Sequence, residues 1–168
     1  MNSRPAVAAV SGVKNAGKTA LIEAMLPHLA AAGLRTAVVK HDGHSFQPEP
    51  PDTDTGRLLA AGAVGAAIFD GEKFKLIRRQ AVDEGALIAC FPEADLVLLE
   101  GFKGSAWPKI EVVRGAVSAA PVCDPATLLA LVTDLPLALP GVPVLPLGDG
   151  AGAAAVLIKY VKGVRGGA

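Results

Sequence analysis

Eight consecutive residues, Gly12-Val13-Lys14-Asn15-Ala16-Gly17-Lys18-Thr19, fill every fixed position of the pattern GxxxxGK[ST]. Such a loop wraps a phosphate chain in backbone N–H groups, which requires residues without obstructing side chains, and then faces it with the positive end of a helix. Gly12 and Gly17 permit the wrap, Lys18 would reach the β- and γ-phosphates, and the Thr19 hydroxyl would ligand Mg2+. One branch of proteins with this loop carries a further lysine at the second position, which Val13 occupies here. Lys14 is therefore expected to be an exposed cation that raises the local positive potential. The ligand chemistry implied is a nucleoside triphosphate.

A metal beside that loop needs an acidic residue at a strand end. Asp95-Leu96-Val97-Leu98-Leu99-Glu100 offers two, roughly 16 Å apart along an extended strand, so one of them at most is near the metal. Ligands of open parallel sheets bind outside the carboxyl ends of the strands, which selects Glu100 and leaves Asp95 as a solvated strand-start residue. Lys18 and Glu100 are the candidate catalytic residues. Lys40-His41-Asp42, His44 and Asp54 gather on the same edge; Asp42 or Asp54 could support Mg2+, and Asp54 joins Thr19 and Glu100 as a candidate metal residue. His41 and His44 are too few for zinc and are expected to meet phosphate or a partner. Asp134, after Leu131-Val132-Thr133, stands where an Asp could accept from guanine N1 and N2, although no NKxD motif is present. Phe102, Lys103, Trp107 and Pro108 form an amphipathic loop in which Trp107 either anchors a partner or caps the core. No glutamine stands beside Glu100 and no arginine-finger pattern is evident, so slow hydrolysis or none is expected.

These groups need a sheet edge to converge on. Ala6 to Val10 is a continuous apolar run suited to a strand buried on both faces. A helix is expected from about Lys18 to Ala32, with Leu21, Ile22, Met25, Leu26 and Leu29 at three- and four-residue spacings and Gly33 ending it. Thr36 to Val39 is a second strand, which makes a βαβ unit. The loop from His41 to Asp52 leads to a short helix over Thr53 to Ala61. Val64 to Phe69 and Phe74 to Arg78 then read as an antiparallel pair about an Asp70-Gly71 turn, so the sheet is expected to be mixed. Ala81 to Phe91 reads as helix, Leu96 to Leu99, Ile110 to Val113, Leu128 to Val132 and Val142 to Leu145 as strands, and Ala153 to Val161 as a closing helix. The fold class is α/β, a three-layer P-loop NTPase-like fold with a mostly parallel, mixed central sheet, in a single nucleotide-binding domain over 1–168.

Composition narrows the partners. The chain has 168 residues, half of them hydrophobic, with 16 basic and 16 acidic side chains. Zero net charge removes the long-range positive field that would draw nucleic acid or an anionic membrane, so a ligand met in a pocket is expected. The first ten residues lack the apolar core of a signal peptide, no apolar run reaches a membrane span, and Cys90 and Cys123 read as small buried apolar residues in a reducing cytosol.

In order along the chain, the phosphate loop, Lys40-His41-Asp42-Gly43-His44-Ser45-Phe46, Asp54-Thr55-Gly56-Arg57 with Ala61-Gly62-Ala63, and Asp95 through Lys103 followed by Pro108-Lys109-Ile110-Glu111-Val112 resemble the MobB family, the molybdopterin-guanine dinucleotide biosynthesis adapter proteins. The resemblance implies a GTP-binding protein of low GTPase activity that forms a dimer; with the Mg2+ and the reducing cytosol read above, a cytoplasmic Mg2+–GTP-binding protein is expected. It would assist a guanylyltransferase of the MobA type in attaching GMP to the molybdopterin cofactor, the transferase performing the chemistry. Leu58 and Leu59 follow Arg57 where family members often carry basic or polar residues, so any anion-binding role of that turn rests on Arg57 alone. The competing reading is an ATP-dependent small-molecule kinase or ligase using the same loop.

Overall fold

The computed structural model describes residues 4–43 and 49–166, so His44 lies outside the described residues. The chain forms two compact units, 1–41 with 84–168, and 42–83. The first contains β1 (Ala6–Ser11), α1 (Lys18–Ala31), β2 (Thr36–Lys40), then α3 (Glu84–Ile88), β5 (Leu96–Glu100), β6 (Lys109–Val113), β7 (Leu128–Thr133), β8 (Val144–Pro146) and α4 (Gly150–Gly166). The second contains α2 (Asp54–Ala60), β3 (Gly65–Phe69) and β4 (Phe74–Arg78).

The six strands of the first unit are ordered β2-β5-β1-β6-β7-β8 and every pairing is parallel. From β1 the chain crosses to one side to reach β2, and from β5 it crosses to the other to reach β6. The carboxyl end of β1 therefore sits at the point where the strand order reverses, the usual place for a ligand crevice in such a sheet. The antiparallel pair expected from the sequence is present, with Phe69 opposite Phe74, but it forms its own two-stranded sheet, so the central sheet is not mixed. A hairpin signal specifies its own pairing and says nothing about which sheet it joins.

Two apolar layers cover the central sheet. On one face Ala6, Ala8 and Val10 meet Leu21, Ile22, Met25 and Leu29 of α1 and Ala153, Ala154, Leu157 and Val161 of α4. On the other, Val7, Ala9, Val97 and Leu99 meet Leu87 and Ile88 of α3, Phe91, Phe102 and Trp107. Alanines in β1 let the helices approach closely, and Gly150 does the same for α4, since a Cβ there would fall 2.6 Å from Ala24. The α1 helix ends as its spacing predicts: Gly33 has φ 79°, its N–H donates to Ala30, and Leu34 N–H donates to Leu29. By contrast, α4 begins three residues before Ala153, because Asp149 accepts from Gly152 N–H and so starts a helix that glycines disguise in the sequence. α3 is shorter than expected, and Cys90 just beyond it is exposed rather than buried.

Within the second unit, Glu49 ties the segments together by accepting from Thr55 and from Lys75. Gly56 is required where the chain at Pro50 crosses α2, since a Cβ would fall 2.0 Å from Pro50 O. Thr53 caps the helix by accepting from Gly56 N–H. Phe69, Phe74 and Leu76 project from one face of the hairpin and remain exposed.

Asp95 is not solvated. It is 8% exposed and accepts from the Arg35 backbone and guanidinium and from Arg165 on α4, which ties the start of β5 to both chain segments. The Arg35 hydrogen bonds hold its carboxyl well below the usual value of 3.8, with Arg165 adding to the effect. A carboxyl depressed on folding contributes stability that is complete above its unfolded pKa and is lost as pH falls through and below that value. Asp95→Asn is expected to cost about 1–2 kcal/mol at pH 7 and progressively less below pH about 4. Thermal unfolding of both proteins from pH 7 to pH 3 checks this, and a constant difference across that range would contradict it.

Candidate functional site

The loop from Gly12 to Gly17 leaves β1 and enters α1 through unusual backbone. Gly12 has φ 138° and passes so close to β6 that a Cβ would lie 2.4 Å from Val112 O; Asn15 (φ 62°) and Gly17 (φ 103°) complete the curl. α1 has no side-chain cap at Gly17 and no acidic residue in its first turn, which leaves its first N–H groups available to an anion. Lys18 Nζ donates back to Gly12 O at 3.2 Å and Val13 O at 2.7 Å, so the loop encloses its own lysine. Lys14 is exposed, as expected.

Parallel pairing of β1 with β5 brings Glu100 to this loop. Val10 is in register with Glu100, and the Thr19 hydroxyl donates to Glu100 Oε1 at 2.7 Å. On the other side β2 ends level with β5, and Lys40 Nζ lies 3.0 Å from the same carboxylate oxygen. Burial pushes the Lys18 ammonium below its usual value; Glu100 opposes this, while Lys40 and Lys103 push the same way. Lys18 thus feels one carboxylate and two further ammonium groups in a chain of zero net charge, a local excess that suits a polyanion.

Thr19 and Glu100 supply hard oxygen donors that fit Mg2+, which takes few protein ligands and completes its shell with water and phosphate oxygens. No group of three or more His, Cys, Asp or Glu side chains suited to a metal occurs among the described residues. Asp54 belongs to the second unit, at the first turn of α2, with an exposed carboxylate 3.6 Å from Arg57. His41 donates its backbone N–H to Glu100 O, and its ring lies 5.3 Å from that of Phe102. Asp134 follows β7 on the same sheet edge and accepts from Gly115 N–H at 2.7 Å, which ties down the β6–β7 connection.

Sequence reasoning missed the buried residues that hold the connections after β5 and β6. Buried Ser11, the last residue of β1, donates its hydroxyl to Gly101 O. Lys109, 0% exposed inside β6, donates Nζ to Ser105 O at 2.5 Å. Glu111, equally buried and level with Ser11, accepts from Val122 and Cys123 N–H. Burial first, then Glu111, pushes the Cys123 thiol up to about 12, so it is an inert core group. Phe102 and Trp107 turn onto the second apolar layer, so Trp107 caps the core. A charge alternating with apolar residues ordinarily marks a solvent-facing strand side, and the pattern of Lys109 and Glu111 conceals their burial for that reason.

A parallel sheet whose central strand opens into a GxxxxGK[ST] loop, with a carboxylate on the neighbouring strand end, defines the P-loop NTPase-like class of fold. The model of the family described as MobB, molybdopterin guanine dinucleotide synthesis protein B, matches residues 7–134, and the chain belongs to that family. Similar curated proteins include the molybdopterin-guanine dinucleotide biosynthesis adapter proteins of Haemophilus influenzae, 31% identical over 82% of this chain and 79% of the relative, and of Escherichia coli, 30% identical over 96% and 94%. The crystal structure of Bacillus subtilis MobB superposes with a TM-score of 0.74 at 28% identity, covering 92% of this chain and 97% of that one.

Replacing Lys109 by Met removes a buried charge, so global stability is expected to move little. Ser105 O nevertheless loses its donor. Hydrogen exchange at amides 102–107 is therefore expected to accelerate about tenfold in Lys109→Met. Unchanged protection there would show that the ammonium does not hold the loop.

Proposed function

We propose that the chain is a cytoplasmic, guanine-nucleotide-binding adapter of molybdopterin guanine dinucleotide synthesis. It hydrolyses GTP slowly at most and assists a MobA-type guanylyltransferase acting on the molybdopterin cofactor. The observation that carries this reading is that the family match over 7–134 includes the whole phosphate loop, the Thr19–Glu100 contact and Asp134. Among the described residues no helix is long and apolar enough to cross a membrane.

In this reading Lys18 exchanges the carbonyls of Gly12 and Val13 for phosphate oxygens, and the N–H groups of residues 13–19 take the remaining charge. Thr19 and Glu100 are the residues that would hold Mg2+, which neutralises phosphate charge when bound. Asp134 lies two strands from β1, about 10 Å by ordinary strand spacing, a reach that suits a guanine base. Its Oδ1 already serves Gly115, so base reading would use the other carboxylate oxygen. Hydrolysis is expected to be slow because Glu100 would be committed with Thr19 to Mg2+ and no glutamine stands beside it to orient water.

Lys18→Ala is expected to remain folded and to lose at least a hundredfold in Mg–GTP affinity, since it removes the charge that faces the phosphates. Calorimetry with GTP and ATP measures this, and wild type should prefer GTP. Adding wild type to transferase, molybdopterin cofactor and Mg–GTP should raise the yield of dinucleotide, and Lys18→Ala should not. Preference for ATP with a phosphorylated small-molecule product would instead establish a kinase, and absence of stimulation would remove the adapter role.

We also propose a homodimer that uses the exposed apolar hairpin face, because Phe69, Phe74 and Leu76 form a patch on a two-stranded sheet, and such sheets rarely stand alone. Sedimentation should show a dimer for wild type and a monomer for Phe74→Lys. A monomeric wild type, or a dimer unaffected by the substitution, would remove this assignment.

A further inference from the structure

Lys40 closes β2 in register with Glu100 at the end of β5, so the two side chains leave adjacent strands at the same level. Its Nζ is 3.0 Å from Glu100 Oε1 and 3.5 Å from Thr19 Oγ1, while those two oxygens are 2.7 Å from each other. Neighbouring oxygens in an octahedral Mg2+ shell are about 3 Å apart, from metal–oxygen distances near 2.1 Å. The ammonium therefore touches the same pair of hard oxygens, at nearly the same separation, that a divalent cation would use. The Lys40 side chain is 57% exposed whereas that of Glu100 is 8% exposed. The cation can swing away with little disturbance of packing, and the carboxylate cannot.

We propose that Lys40 is the site's own counter-cation, holding Thr19 and Glu100 in place of a divalent metal and moving onto the phosphate chain when metal nucleotide arrives. This rests on the nucleotide-binding reading above. A buried carboxylate without a cation would be costly, so the metal-free state needs such a partner. With Mg2+ at the two oxygens, like-charge repulsion would drive the Lys40 ammonium off them, and the phosphate chain would offer it negative charge. Two consequences distinguish this arrangement from a plain ion pair. Nucleotide retains appreciable affinity without metal, because Lys40 neutralises both the carboxylate and the phosphates. Mg2+ strengthens binding only modestly, because it must displace a resident charge.

The test is the affinity of a fluorescent GTP analogue, 2′/3′-N-methylanthraniloyl-GTP, in excess Mg2+ and in EDTA, for wild type, Lys40→Met and Lys40→Arg. The ratio of the two dissociation constants should be small in wild type and about tenfold larger in Lys40→Met, chiefly through weaker binding in EDTA. Lys40→Arg, which keeps the charge, should stay near wild type. Thermal unfolding accompanies each variant, since an ion pair serving stability alone would lower the midpoint in Lys40→Met and leave the ratio unchanged, and that result would overturn the assignment. Failure of wild type to bind the analogue in either condition would overturn the nucleotide reading and this inference together.

Discussion

A hydrogen bond of 2.7 Å from Thr19 to Glu100 joins residues 81 positions apart, and the geometry of the candidate site depends on it. It forms because β1 and β5 are parallel neighbours in a register that sets Val10 beside Glu100. A parallel sheet places all its strand ends on one edge, so a loop leaving β1 and a carboxylate ending β5 meet without any local signal linking them. The packing serves the same end. Small residues in β1 allow α1 and α4 to lie close against the sheet, and Gly12 allows the loop to pass over β6. Enlarging either would move the start of α1, and with it Lys18 and Thr19.

Charge is distributed with equal economy. Asp95 at the far end of β5 is neutralised by Arg35 and Arg165, so the strand is anchored at its amino end by a network serving stability. At its carboxyl end Glu100 pairs with Lys40, and the charges of Lys18 and Lys103 add to the positive potential of the same edge. One strand thus carries a satisfied carboxylate at one end and an excess of positive charge at the other, which is an electrostatic reason for an anion to bind at the second. Beneath this edge, Ser11, Lys109 and Glu111 hold the connections after β5 and β6 by donating to or accepting from backbone groups. Ser11 and Lys109 thereby tie down both ends of the loop that carries Lys103, at Gly101 and Ser105.

Much of this was legible in the sequence, and the exceptions have a common cause. The GxxxxGK[ST] loop, the α1 face and its glycine stop, and Glu100 as the strand-end carboxylate are local or periodic signals, and each is found where expected. Lys40 as the neighbour of Glu100 depends on β2 lying beside β5, which no spacing reveals, because the intervening chain includes the whole second unit. The same holds for Asp95, whose partners Arg35 and Arg165 come from distant segments. Lys109 and Glu111 were obscured because alternation predicts exposure and the connection over β6 covers them. The hairpin was readable as a pair, but its separation from the central sheet was a matter of tertiary pairing.

The most direct test of the account is a crystal structure of the chain grown with Mg2+ and a non-hydrolysable GTP analogue. The account predicts phosphates enclosed by residues 12–19, Lys18 Nζ moved from the carbonyls of Gly12 and Val13 onto phosphate oxygen, and Mg2+ beside Thr19 and Glu100. An analogue bound elsewhere, or a loop still closed on its own lysine with the analogue present at saturation, would contradict it.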